Sequence, residues 1–315
     1  MIKFRSDCAD LINDYTHAML NFLPAFFIGF LSFSFYTLNT IFWVLPIVIC
    51  SILKALLPFK FWQKIFSYLL DHMASYWVAI NTVNQKLFTN LTIDVSGVED
   101  LNPKQWYLVI CNHQSWVDIV ILQRVLHGKI PFLKFFLKKE LIYVPFLGIA
   151  WWALDFPFMK RYSQSFIKKN PHLKGKDIET TKKACAKFKY KPVSVMNFIE
   201  GTRFTDEKHK KQGSNYKNLL KPKAGGIGFV LSTMGDSLNK VVNVTIYYPE
   251  GKPNFIDFLC GKIKKVQVVV DTQDIDQRLL GDYVNDRSHK INFQKWVNQL
   301  WAEKDQLLEQ LKNNK

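Results

Sequence analysis

Between Ala18 and Leu53 the chain carries no Asp, Glu, Lys, Arg or His, and Phe, Leu, Ile and Trp dominate. As one helix rising about 1.5 Å per residue, this stretch would reach about 54 Å, against a hydrocarbon core of roughly 30 Å. Two geometries use such a length: two shorter helices turning near Asn39 and Thr40 as a hairpin or re-entrant pair, or one long tilted span. Basic residues flank both ends, Lys3 and Arg5 before and Lys54, Lys60 and Lys64 after, which by the positive-inside rule favours both ends on the cytoplasmic side. Asp7, Asp10 and Asp14 precede the apolar region and no A-x-A site follows it, the pattern of an uncleaved anchor rather than a signal peptide. From Phe61 to Phe88 apolar residues interleave with Lys and Gln, predicting amphipathic helix at a membrane interface.

Beyond Thr89 short apolar runs alternate with polar helical ones. The pattern predicts strands over Leu91 to Val95, Trp106 to Cys111, Leu154 to Phe158, Val193 to Ile199, Val241 to Tyr247 and Val266 to Val270, with helices over Ser115 to Leu126 and Asp177 to Lys189. Such alternation reads as an α/β fold, a mixed or mostly parallel sheet flanked by helices, behind an N-terminal membrane-embedded helical anchor. Phe293, Trp296, Val297, Leu300, Trp301, Leu307, Leu308 and Leu311 recur at helical spacing and predict a terminal amphipathic helix. The resulting division is 1–88 for the anchor and interfacial helices, 89–291 for the α/β domain and 292–315 for the terminal helix.

Charge adds a partner to this picture. Lys and Arg number 42 against 26 Asp and Glu, a net charge of +16, which calls for an anionic partner such as membrane headgroups or nucleic acid. The hydrophobic fraction of 48% excludes a disordered polycation. Cys8, Cys50, Cys111, Cys185 and Cys260 are scattered, with no C-x-x-C pair, so neither a disulfide framework nor a zinc cage is expected.

Two runs carry chemistry. At the end of the second predicted strand stands Asn112-His113-Gln114-Ser115-Trp116-Val117-Asp118. Ser115 and Asp118 form an S-x-x-D capping box ahead of an apolar helix. The same geometry turns the Asp118 carboxylate back toward the loop that carries His113, and an imidazole held by a carboxylate is able to accept a proton from a hydroxyl. The fourth predicted strand delivers Glu200-Gly201-Thr202-Arg203 at its carboxyl end, where open α/β sheets place ligands; Arg203 offers the planar fork that suits a phosphate. The Gly225-Gly226-x-Gly228 run lacks a leading strand and the dinucleotide spacing, and reads as an acceptor-side loop. The basic run from Lys208 to Lys223 is a solvated face or an attraction to anionic lipid. The dispersed histidines imply no metal.

N-H-x-x-x-x-D followed by E-G-T-R resembles the hallmark of the 1-acylglycerol-3-phosphate acyltransferase superfamily. Further blocks match in order: Lys138-Lys139-Glu140-Leu141 with Pro145 and Gly148, Phe156 to Arg161, and Val244 to Pro249. Phe204-Thr205, Lys208-His209 and Leu220 to Gly226 are most similar to a lysocardiolipin acyltransferase-like bacterial subgroup. The resemblance implies a membrane-bound O-acyltransferase of the inner membrane, its catalytic domain on the cytoplasmic face. Its donor would be acyl-CoA or acyl carrier protein and its acceptor a lysophospholipid, 1-acyl-sn-glycerol-3-phosphate giving phosphatidic acid, with lysophosphatidylglycerol or lysocardiolipin as the alternative; it would need no cofactor, metal or nucleic acid. It implies catalytic roles for His113 and Asp118, and substrate binding by Glu200, Gly201, Thr202, Arg203, Arg161, Lys138 and Lys139. A non-catalytic membrane-anchored anion-binding protein would account for the charge and the anchor, but leaves the pairing of the two motifs to chance.

Overall fold

The computed structural model describes residues 23–57, 59–159, 188, 191–283 and 285–314. The uncharged N-terminal stretch forms one helix, α1 (Ala25–Leu56), followed by α2 (Lys60–Phe88). The pairing of Ser32 with Asn84, Asn39 with Asn81 and Trp43 with Tyr76 makes them an antiparallel hairpin. The expected turn near Asn39 and Thr40 is absent, and the chain reverses between Leu56 and Lys60 instead. Asn39 spends its amide across the hairpin, donating to the Trp77 carbonyl at 3.0 Å and to Asn81 Oδ1 at 2.8 Å. Thr40 Oγ1 donates to Tyr36 O at 2.7 Å within its own helix. Polar residues in an apolar helix are here satisfied by helix pairing rather than by a break.

Among the described residues α1 is the one helix long and apolar enough to cross a membrane. One face of it belongs to the protein interior. Val44, Ile47 and Cys50 share a core with Leu70, Trp77 and Leu122. Lys54 Nζ pairs with Asp155 at 2.6 Å. Near the other end of α1, a Cβ on Gly29 would lie 2.5 Å from Cys260 Sγ. The opposite face leaves Phe27, Phe30, Leu38, Phe42 and Leu45 exposed.

After the hairpin come β1 (Thr92–Ser96), β2 (Tyr107–Cys111), α3 (Val117–Leu126), β3 (Leu133–Phe135), β4 (Leu137–Lys138), a 3₁₀ turn (Lys139–Tyr143), α4 (Leu147–Ala153) and β5 (Phe158–Met159). The chain continues with β6 (Ser194–Phe198), α5 (Asp206–Gln212), α6 (Gly225–Met234), β7 (Lys240–Tyr247), α7 (Phe255–Leu259), β8 (Lys265–Asp274) and α8 (Arg287–Asn313). Six strands form one sheet in the order β1-β8-β7-β2-β6-β3, and β4 pairs with β5 in a small second sheet. All pairs of the large sheet are parallel except β7 with β8. The central β2 is buried at every position, as a parallel strand covered on both faces must be. One face packs on α1 to α4, the other on α6 and α8, where Ile227, Val230, Phe293, Val297 and Trp301 meet.

Three further expectations need correction, and one strand was not foreseen. Leu154 and Asp155 close α4 instead of forming a strand, with Asp155 at φ 59°; only Phe158–Met159 pairs there. The short β3, too brief to show alternation, supplies the edge of the large sheet. The terminal helix starts at Arg287, because Asp286 caps it by accepting from His289 N at 3.0 Å. The glycine run lies inside α6 rather than in a loop. A Cβ on Gly226 would sit 2.5 Å from Asn197 Nδ2, and one on Gly228 would strike the Tyr283 ring, so these glycines permit close packing. The helix expected from Asp177 to Lys189 lies outside the described residues apart from Phe188.

Candidate active site

The site grows out of strand register. Cys111, the last residue of β2, is level with Phe198 on β6 and with Val244 on β7. His113 and Glu200 each stand two residues beyond, so the two motifs emerge side by side at the carboxyl ends of adjacent central strands. The loops are then stapled. His113 N donates to Glu200 Oε1 at 2.8 Å, and Phe204 N donates to the His113 carbonyl at 2.7 Å. Asn112 extends the sheet with its side chain, donating from Nδ2 to Ile246 O and accepting from Ile246 N through Oδ1, both at 2.9 Å. Gly201 turns the β6 loop with φ 73°, a left-handed conformation that favours glycine, and its amide donates to Phe198 O at 2.9 Å.

Both readings of Asp118 hold at once. Its Oδ2 accepts from Ser115 N at 2.9 Å and Gln114 N at 2.6 Å, while Ser115 Oγ accepts from Val117 N at 3.1 Å, which is the capping box. The same oxygen lies 2.9 Å from His113 Nδ1. Asp118 Oδ1 accepts from Tyr248 Oη at 2.7 Å. An acceptor-only carboxylate leaves Nδ1 as the donor, so the neutral imidazole keeps its Nε2 lone pair free. The ring lies flat on Phe198, centroids 3.9 Å apart and planes 14° apart. Asp118 is fully buried and the His113 side chain 12% exposed, so the imidazole can be reached from outside while its support cannot. Burial, reinforced by the Asp118 charge, holds the Tyr248 phenol well above its ordinary pKa and keeps it a donor.

Glu200 is also fully buried, its second oxygen accepting from Leu220 N at 2.9 Å. Burial pushes its carboxyl up to about 8, against the lowering pull of the His113 and Leu220 amides. Below the sheet ends lies Lys304 of α8, buried, donating to Val244 O at 2.5 Å and to Thr245 Oγ1 at 3.0 Å. Burial lowers its ammonium to about 8, while Cys111 and Glu200 act to raise it.

At the surface, the Arg203 guanidinium is exposed and stacked 4.8 Å from the Trp116 ring. Lys208 Nζ donates to Thr202 Oγ1 and to Arg203 O, both at 3.0 Å, and Lys252 Nζ stands 3.6 Å from the Phe204 ring. Basic side chains therefore gather on the loops next to His113. Lys138 and Lys139 are exposed around the end of β4 and form no ion pair or hydrogen bond with the His113 or Arg203 groups. Arg161 lies outside the described residues. Among the described residues no group of three His, Cys, Asp or Glu side chains is placed to share a metal ion. Sequence reasoning missed Tyr248, Lys304, Lys208 and Trp116 as parts of the site. The first two reach it from the end of β7 and from α8, far along the chain; Trp116 lies inside the first motif without a role of its own, and Lys208 read only as the start of a basic run.

A sequence profile described as Acyltransferase matches residues 92–249. The chain is 25% identical over 236 residues to an uncharacterized acyltransferase of Saccharomyces cerevisiae, covering 65% of this chain and 59% of that one. It is also 25% identical over 221 residues to the human 1-acyl-sn-glycerol-3-phosphate acyltransferase gamma, covering 65% and 53%. It thus spans somewhat over half the length of the curated relatives it matches. The crystal structure of the 1-acyl-sn-glycerophosphate acyltransferase from Thermotoga maritima aligns with a TM-score of 0.47 at 18% identity, over 89% of this chain and 95% of that one.

Proposed function

The chain belongs to the acyltransferase family, and from that premise we propose that it moves a fatty acyl group from acyl-CoA or acyl carrier protein to the free glycerol hydroxyl of a lysophospholipid. The acceptor we assign is 1-acyl-sn-glycerol-3-phosphate, giving phosphatidic acid. The observation that carries this reading is the His113–Asp118 pair, a partly exposed imidazole held through Nδ1 by a buried carboxylate, with basic side chains on the neighbouring loops.

In the proposed reaction, Nε2 takes the proton of the glycerol hydroxyl as its oxygen attacks the thioester carbonyl. Asp118 stabilises the imidazolium that forms. Collapse of the tetrahedral intermediate breaks the carbon–sulfur bond, and the imidazolium returns its proton to the departing thiolate. No acyl-enzyme, metal or cofactor enters this sequence. Arg203 supplies a bidentate fork for the acceptor phosphate, with Lys208 beside it. Glu200 acts from beneath, fixing the His113 amide rather than touching the acceptor. Lys138, Lys139 and Arg161 belong to the acceptor's approach in the same proposal.

The proposed setting is the cytoplasmic face of the inner membrane, where a cytosolic acyl donor meets a lipid acceptor. Support comes from the exposed apolar face of α1 and from the net charge of +16. Because α1 is docked on the α/β domain from Gly29 to Lys54, a transverse span over that length would carry the domain into the hydrocarbon. An in-plane seat for the hairpin, exposed face in lipid, avoids that cost. The test is acyl transfer by purified, reconstituted protein against a panel of lysophospholipids, each with acyl-CoA and acyl carrier protein. Transfer to lysophosphatidic acid above all others is expected; transfer only to another headgroup would replace the acceptor, and none to any acceptor would end the reading.

A further inference from the structure

Four large apolar side chains close together in sequence face solvent: Tyr143, Phe146, Ile149 and Trp152 are 81%, 52%, 54% and 55% exposed. They come from the 3₁₀ turn (Tyr143), the cap of α4 (Phe146) and α4 itself, whose Gly148, Ala150 and Ala153 face inward. The segment is amphipathic, and its outer side adds nothing to the core. Its conformation is also strained to present that side: Phe146 holds φ 60° without being glycine. An exposed patch of this kind marks an interaction surface.

Two observations say what covers it. First, α4 packs on α1, and the pair of Lys54 with Asp155 ties the end of α1 to the residue just past α4, so the patch is held beside the hairpin whose exposed apolar face is the proposed lipid contact. Second, exposed Lys138 and Lys139 border it on its N-terminal side. Aromatic residues next to cations complement an anionic bilayer surface, where apolar rings enter the acyl boundary and ammonium groups stay among phosphates.

We propose that the 139–153 segment is a second membrane-insertion element, separate from the hairpin, whose partner is an anionic lipid bilayer. It rests on the membrane setting proposed above. Two attachments, one through α1 and one through α4, fix the tilt of the domain where a single attachment would leave it free to swivel. The fixed orientation has a direct use. β3 runs parallel to β6, so its end leading to this segment lies on the same side of the sheet as His113, and Phe135 stands 6.2 Å from the Phe198 ring that supports the imidazole. The inserted element therefore borders the reacting end of the sheet, and a lipid acceptor has a short path from headgroup layer to base.

The test places a nitroxide at Ile149→Cys in the full chain reconstituted into phosphatidylcholine–phosphatidylglycerol vesicles. Collisions with oxygen and with a water-soluble nickel chelate are then compared. Ile41→Cys on the exposed face of α1 and Ile291→Cys on α8 serve as companions, and the labelled parent protein gives the background. Expected is a probe at Ile149 shielded from nickel and open to oxygen, as at Ile41, with Ile291 freely reached by nickel. A water-accessible Ile149 beside a shielded Ile41 overturns the second element alone. Water access at both overturns the membrane setting with it. Spin–spin broadening at Ile149 that disappears on dilution with unlabelled protein shows a second copy of the chain as occupant, and also overturns the proposal. Should Ile149→Cys fail to fold, Phe146→Ser with Trp152→Ser decides. Several-fold weaker use of vesicle-borne acceptor with unchanged turnover of a dispersed short-chain acceptor supports insertion; equal effects on both contradict it.

Discussion

Glu200→Gln separates a carboxylate that pins the catalytic loop from one that grips substrate. The substitution keeps the volume of the side chain but replaces one acceptor oxygen by an NH2 group. Of the two amides that meet Glu200, from His113 at 2.8 Å and Leu220 at 2.9 Å, one then faces a donor and is left unsatisfied in a fully buried place. Such a loss costs about 1–3 kcal/mol. At roughly 2–4 °C per kcal/mol for a domain of this general size, the melting temperature should fall by about 2–12 °C. The effect depends on pH in a defined sense. The folded carboxyl is raised from 4.5 to about 8, so its contribution to stability is fully present below 4.5 and is lost as pH rises through 8. Lys304, lowered from 10.5 to about 8, contributes stability that is lost as pH falls from 10.5 through 8, and so changes little below that window. The Gln variant has no titration at this position. Its deficit relative to the parent should therefore be largest near pH 5 and shrink toward pH 8. Differential scanning fluorimetry of both proteins across that range reads the gap, and steady-state kinetics complete the assay: kcat should fall while the acceptor KM stays put. An unchanged melting temperature combined with a raised acceptor KM would refute the pinning role and return Glu200 to the substrate.

Tyr248→Phe removes the phenol that donates to buried Asp118 Oδ1 at 2.7 Å; a lost bond to a charged group costs about 1.5–3 kcal/mol, seen as a lower melting temperature with a roughly tenfold fall in kcat. Asp118→Asn should reduce kcat by about 10²- to 10⁴-fold, because a neutral amide, even with its oxygen kept on His113 Nδ1 and on the Gln114 and Ser115 amides, cannot stabilise the imidazolium that forms; activity within a few-fold of the parent would contradict the pairing. Arg203→Lys, at an exposed guanidinium stacked on Trp116, should raise the acceptor KM and leave both the donor KM and the melting temperature unchanged.

What the chain disclosed in advance was whatever depended on local pattern. Buried strands such as Tyr107–Cys111 and Lys240–Tyr247 read directly from their apolar runs, and the Ser115–Asp118 spacing announced a cap that the structure contains. What stayed hidden was settled by partners distant along the chain. Nothing around Asn39 shows that Trp77 and Asn81 will take its amide and keep α1 unbroken. Nothing near Glu200 shows that its oxygens turn inward, since the amides they meet depend on β2 and β6 ending level. Tyr248 and Lys304 joined the site only when β7 and α8 were in place. Nothing in the run around Phe146 and Trp152 shows that the assembled fold leaves both side chains outside.

Replacing His113 by Ala tests the central claim most directly. The imidazole lies on Phe198 and takes one side-chain bond, while the loop is held by backbone contacts to Glu200 and Phe204 that Ala retains. Folding and membrane recovery should therefore persist. Acyl transfer from a labelled thioester to lysophosphatidic acid by the reconstituted variant should drop by about 10²- to 10⁴-fold. Turnover near that of the parent protein would contradict His113 as the base, and with it the mechanism built on the His113–Asp118 pair.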